Sequence, residues 1–151
     1  MFIDELQTIK IKIFFKKEGH NYLVYSERDM RSIHGSPNEK NKNAYEKFQE
    51  LNLEMRELTW GAYNDLQEKS LAVQQDGSER FSMKKYKESR LEYLIISWDA
   101  KRKDNEGNFV DVPVNQSSLG ALAPEIAETI LSAYETEMDM GEEDEKKSES
   151  R

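Results

Sequence analysis

A chain of 151 residues has the length of one domain and can bury most of its apolar surface in a single core, yet 34% of its residues are charged, above the roughly 25% usual in globular proteins. The absence of cysteine excludes a disulfide framework, a thiolate nucleophile and Cys-ligated zinc or iron–sulfur sites. A net charge of −8 argues against nucleic-acid binding, which depends on Lys and Arg displacing counterions from phosphates.

The acidity is concentrated at one end: from Glu135 to Arg151 there are eight acids against three bases. No segment approaches the roughly 18 apolar residues of a spanning helix, and no helix pattern carries the Lys/Arg face of a membrane-surface helix. The start, Met1 to Leu6, has no basic region ahead of an apolar run, so the sequence predicts a cytosolic protein without a membrane role.

In chain order, Ile9, Ile11, Ile13 and Phe15 alternate with Lys10, Lys12, Phe14 and Lys16, a period of two that predicts a strand. A turn at Glu18 to Asn21 leads into Tyr22-Leu23-Val24-Tyr25, completing a β-hairpin. Turn residues at His34 to Asn38 close this region. Tyr45, Phe48, Leu51, Met55 and Leu58 then recur at steps of three and four and predict a first helix. Thr59 can cap a shorter second helix with Trp60, Tyr63 and Leu66 on its buried face.

Gln74 to Ser78 reads as a loop. Ser82 is a suitable cap for the next helix, with Phe81 and Tyr86 placed as a hydrophobic staple. Met83, Tyr86, Leu91, Leu94, Ile95 and Trp98 extend that helix to Trp98. Asp99 to Asn108 breaks it, Phe109 to Val114 is extended, and Pro113 favours an edge position. Ser117 or Ser118 can open a turn containing Leu119. Pro124 fits the first turn of a last helix, where its missing N–H costs nothing, and Ile126, Ile130, Tyr134 and Met138 step along one face to about Gly141.

These elements predict a mainly α (α+β) fold: a hairpin region at 1–36, a small helical domain at 37–140 and a disordered charged tail at 141–151, too poor in aromatic and β-branched residues to order itself.

Catalytic constellations are thin. His20 and His34 lie in turns without metal-type spacing. Glu50, Glu54 and Glu57 share a face of the predicted helix, but the Glu-x-x-His partners of a dimetal site are missing, and Lys47 and Arg56 make a salt-laced solvent face the simpler reading. The acids from Asp139 to Glu145 lack the spacing of a calcium loop. With no nucleophile–base pair and no phosphate-cradling glycine loop, neither an enzyme nor a cofactor is expected. The aromatic residues Trp60, Tyr63, Tyr86, Tyr93 and Trp98 serve either as core filling or as a platform for a partner.

The order Leu58-Thr59-Trp60-Gly61, then Trp98, then Asn105-Glu106-Gly107, and finally Leu122-Ala123-Pro124-Glu125-Ile126 resembles that of the small tail assembly chaperones of long-tailed bacteriophages. The resemblance covers roughly residues 50–140 and leaves the hairpin out. It implies a non-enzymatic protein of the host cytoplasm that coats the tape-measure protein and releases it as tail-tube subunits polymerise. Such a protein needs a face that buries a client's apolar stripe reversibly, in many copies. Trp60, Tyr63, Tyr93 and Ile130 are the candidate face. Self-association fits this role, and the acidic tail suits basic patches on tail-tube subunits. The alternatives are a structural virion protein, such as a tail terminator or neck adaptor, and a phage inhibitor of a host protein.

Overall fold

The computed structural model describes residues 8–149, with side chains described to Asp139. The elements run β1 (Thr8–Glu18), β2 (Asn21–Ser26), α1 (Glu27–His34), α2 (Lys42–Glu46), β3 (Gln49–Arg56), α3 (Trp60–Lys69), β4 (Leu71–Val73), β5 (Glu79–Phe81), α4 (Met83–Leu94), β6 (Ile95–Trp98), β7 (Lys101–Lys103), β8 (Phe109–Asp111), α5 (Gln116–Gly120) and α6 (Pro124–Glu149). The fold is mixed α+β, 42% helix and 31% strand, with a four-stranded antiparallel sheet in the order β2-β1-β3-β6 and two separate hairpins, β4-β5 and β7-β8. This corrects the expectation of a mainly α, small helical domain.

The correction has two sources. Residues 49–56 form a strand where the sequence suggested a helix, because Leu51, Leu53 and Met55 are buried while Gln49, Glu50 and Asn52 are exposed. A period of two through Leu51, Leu53 and Met55 coexists with the three-and-four stepping through Tyr45, Leu51 and Met55, and pairing within the sheet decides between them. The helix expected to reach Trp98 ends at Leu94, and Ile95–Trp98 continues as β6, pairing Leu53 with Trp98 and Met55 with Ile95 across a bulge. The helix formers Met83, Leu91 and Leu94 mask the β-prone stretch Ile95-Ile96-Ser97-Trp98 at the end of the pattern.

The described residues pack as two units, with β1 and β3 each contributing to both. In the unit holding Ile11–Asn52 and α6, β1 and β2 form the predicted hairpin, in register from Ile13↔Ser26 to Glu18↔Asn21. Its two-residue loop has Gly19 at φ +62°, as a type II′ turn requires at its first position. Ile11 and Ile13 are buried on one face of β1, while Phe14 is buried on the other, edge-on to Tyr45 at 5.5 Å between ring centroids.

Helix α1 has no counterpart in the sequence reading. Ser26 caps it by accepting from the Asp29 N–H at 3.2 Å, Gly35 ends it at φ +80°, and Met30 is its buried residue. Asn41 ties the following loop together, donating to the His34 and Ser36 carbonyls at 2.8 Å each. Helix α6 starts at Pro124 as predicted and packs against β2, burying Ile126, Ile130 and Tyr134. Its backbone is helical to Glu149, past the expected end near Gly141, so the predicted disordered tail is helical to that residue; Ser150 and Arg151 lie outside the described residues.

In the unit holding Leu53–Ala121, each of two helices opens on its predicted cap. Thr59 Oγ1 accepts from the Ala62 N–H at 3.1 Å, and Ser82 Oγ from the Lys85 N–H at 3.3 Å, with Phe81 and Tyr86 in contact at 5.6 Å between centroids. Asn115, not Ser117 or Ser118, caps α5 through a reciprocal box with Ser118. The hairpins β4-β5 and β7-β8 share one loop design. Gln74 N–H donates to the Ser78 carbonyl at 2.7 Å and Asp104 N–H to the Asn108 carbonyl at 2.8 Å, with Gly77 and Gly107 at φ +83° and +84°. These are three-residue loops whose last residue must be left-handed.

Trp98 Nε1 donates to the Val112 carbonyl at 2.7 Å, tying β6 to the segment after β8. The Leu66, Leu91, Leu94, Ile95 and Leu119 side chains are buried.

Leu94 is fully buried and Ile96, two residues on, is exposed on β6. Leu94→Ala is expected to lower the unfolding free energy by about 2–5 kcal/mol, and Ile96→Ala by less than about 1 kcal/mol, in urea titration.

The Asp76 carboxyl is held below the usual carboxylate range by the Ser78 hydroxyl, with help from the Ser78 N–H. This contribution is complete above the ordinary carboxylate pKa and is lost as pH falls through the lowered folded-state value. The Ser78 amide proton shift, followed by NMR, is therefore expected to move as pH falls through that lowered value in the native chain and to stay constant over the same range in Asp76→Asn.

Candidate functional site

The sequence Leu58-Thr59-Trp60-Gly61 produces an exposed aromatic ledge. Thr59 is extended (φ −80°, ψ 162°) and turns the chain into α3, placing Trp60 and Tyr63 three positions apart on the first turn, where side chains lie one above the other. The two rings stack at 6.1 Å between centroids and 23° between planes. Trp60 is 77% exposed and Tyr63 36%, so neither belongs to the buried face predicted for this helix; Leu66 does. An exposed Trp stacked on a Tyr offers an apolar surface with little freedom left to lose on binding.

The other flank of α3 faces α4 across an open groove of about 550 Å³. Arg56, at the end of β3, Asp65, Leu66 and Lys69 from α3, and Glu92 and Tyr93 from α4 line it. The Arg56 guanidinium carbon lies 5.2 Å from the centre of the Tyr93 ring, a cation–π contact that fixes both groups. The charged side chains along the groove are two of each sign, so it suits a segment carrying both signs better than a polyanion or polycation.

Of the four candidate residues, the structure brings Trp60 and Tyr63 together. It puts Tyr93 in the groove beside the same helix. Ile130 is 0% exposed in the core of the other unit, where it cannot present a surface. Its four-residue stepping with Ile126 and Tyr134 marks the packed face of α6, and that was the signal to read. Arg56, Asp65 and Lys69 are groove residues outside the sequence's candidate set; for Arg56 the reason is that the three-and-four stepping predicts a helix where the chain forms a strand.

Glu50 and Glu54, expected on a helix face with Glu57, lie on β3, and Glu50 pairs with Lys12 at 3.8 Å. His34 ends α1 and meets the Tyr45 ring edge-on at 6.3 Å between centroids. Among the described residues no group of three or more His, Asp or Glu side chains could hold a metal ion, and no helix is long and apolar enough to cross a membrane.

Compared with protein-family models, with curated proteins and with solved structures, the chain finds no significant match in any of the three.

The two tryptophans differ in environment in a way fluorescence can read. With Trp98→Phe, the remaining Trp60 is expected to emit like a solvated indole and to be strongly quenched by acrylamide. With Trp60→Phe, the remaining Trp98, half-buried and hydrogen-bonded, is expected to emit further to the blue and to be quenched less.

Proposed function

We propose that this protein is a non-catalytic assembly chaperone that binds a helical client through the Trp60–Tyr63 ledge, and that the client is the tape-measure protein of a long-tailed phage. The observation that carries the binding role is the ledge itself: a stacked Trp–Tyr pair, most of the Trp open to solvent, fixed on a capped helix. Isolated apolar side chains at a surface are ordinary, but paired aromatic ones on a rigid element have the makeup of binding hot spots.

The identity of the client rests on the order of motifs. Leu58-Thr59-Trp60-Gly61 starts a helix, the Asp104 to Asn108 loop leads into β8, and Pro124 starts the last helix. The helix that the spacing predicts up to Trp98 stops at Leu94. In this reading the chain works in the host cytoplasm, with tail-tube protein as a second partner. An apolar stripe along a client helix lies on the ledge at i, i+3 and i+4 positions, and the mixed charges of the groove receive the charged residues flanking that stripe. Release needs only a competing surface, which is why no bond-making chemistry is required.

The test is co-expression of the chain with the tape-measure protein, followed by affinity measurement on the purified pair. Trp60→Ala is expected to weaken binding by about 2 kcal/mol or more, roughly thirtyfold, while the unfolding free energy of the chain alone moves by no more than about 0.5 kcal/mol. Unchanged affinity in the double variant Trp60→Ala, Tyr63→Ala would remove the ledge from the interface, and no binding by the native chain would remove the client.

A further inference from the structure

The two small hairpins share a loop design and differ in how their first strands are protected. β7 is Lys101-Arg102-Lys103, charged throughout, as unpaired edges in soluble proteins usually are. β4 is Leu71-Ala72-Val73, without a charge or a proline, and in its sheet it pairs with β5 alone.

The hydrogen-bond pattern fixes what that edge offers. Ser82 N–H donates to the Ser70 carbonyl and Gln74 N–H to the Ser78 carbonyl, both at 2.7 Å, and the register pairs Leu71 with Phe81, Ala72 with Arg80 and Val73 with Glu79. Bonded and non-bonded pairs alternate along an antiparallel ladder. Ala72 therefore bonds inward to β5, and the N–H and C=O groups of Leu71 and Val73 point outward. Among the described residues, the Leu71 carbonyl accepts there from the flexible Lys85 ammonium at 3.4 Å. The side chains of Leu71, Val73 and Phe81 share one face of the hairpin and are 37%, 72% and 45% exposed.

We infer that β4 pairs antiparallel with β4 of a second copy of this chain, about a two-fold axis through Ala72, to form a four-stranded sheet β5-β4-β4-β5. The second copy is the occupant because the edge is complementary to itself. Leu71 of one protomer lies opposite Val73 of its partner, both with outward-pointing N–H and C=O groups, so the register closes four hydrogen bonds and sets no like charges against each other. The same register joins the Leu71, Val73 and Phe81 side chains of both copies into one apolar face. A two-stranded hairpin is marginal alone, and doubling it gives the strand number at which small sheets become stable.

The register makes the test specific, and the chain's lack of cysteine makes it clean. On the axis, the two Ala72 Cα atoms face each other at about 4.5 Å, within disulfide range, whereas the two Val73 Cα atoms are beyond about 7 Å. Under mild oxidation Ala72→Cys is expected to form a disulfide-linked dimer and Val73→Cys is not. Sedimentation of the native full-length chain over a concentration series is expected to show a monomer–dimer equilibrium. The double variant Leu71→Lys, Val73→Lys is expected to weaken it about tenfold, and Leu71→Lys, Val73→Glu to restore it by setting Lys against Glu across the axis. The Leu71 and Val73 side chains are exposed and Ala72 is half-buried, and unfolding midpoints check that each variant is folded. A monomer at every concentration, equal cross-linking at positions 72 and 73, or equal weakening by the two charge pairs would overturn the inference.

Discussion

The constraint on which the rest of the structure depends is the alternating burial of Leu51, Leu53 and Met55 along β3. This strand sits between β1 and β6 in the sheet order. A strand can bury every second side chain on one face while its backbone bonds sideways to both neighbours. The same eight residues as a helix would satisfy their own backbone and leave β1 and β6 without the strand between them. The turn into α3 then follows directly. β3 ends at Arg56, and three residues later Thr59 opens the helix that displays Trp60 and Tyr63.

How much of this was legible in the sequence depends on whether a signal was local. The β1-β2 hairpin was visible in the alternation of Ile11 and Ile13 with lysines and in the Gly19 turn. The caps at Thr59 and Ser82, the Phe81–Tyr86 staple and the Pro124 start were visible because each is a short-range device. The elements that were misread depend on partners distant in the chain. Leu51, Leu53 and Met55 keep a strand period, but Tyr45, Phe48, Leu51, Met55 and Leu58 keep a helical one over a longer stretch, and nothing within residues 49–56 announces that β1 and β6 flank them. Ile95 to Trp98 looked like the last turn of α4 because Leu91, Leu94, Ile95 and Trp98 keep helical spacing. The element type has a functional consequence: a helix over Tyr45 to Leu58 does not place Arg56 beside Tyr93, so the groove is not visible in the sequence.

The candidate surface was partly legible for the same reason. Trp60 and Tyr63 follow a cap that the sequence shows, so their common location could be read, although their exposure could not: in isolation an aromatic at a helix start is as suited to a core as to a surface. Ile130 illustrates the reverse case. Its regular spacing with Ile126 and Tyr134 belongs to a buried stripe, and α6 spends that stripe against β2. What the unit built from Leu53–Ala121 leaves open is an aromatic ledge, a groove of balanced charge and an uncharged strand edge. All three are suited to contact with other chains, and the acidity of the molecule is greatest in the stretch after Glu135, away from them in sequence.

The central claim is that the first turn of α3 is the surface that receives a client. Hydrogen–deuterium exchange of the full chain, free and saturated with the tape-measure protein, tests it without altering a residue. The account predicts slowed exchange concentrated in residues 59–69, with the α6 segment 126–134 unchanged. Slowed exchange confined to other segments, with 59–69 unaffected by the bound client, would contradict it.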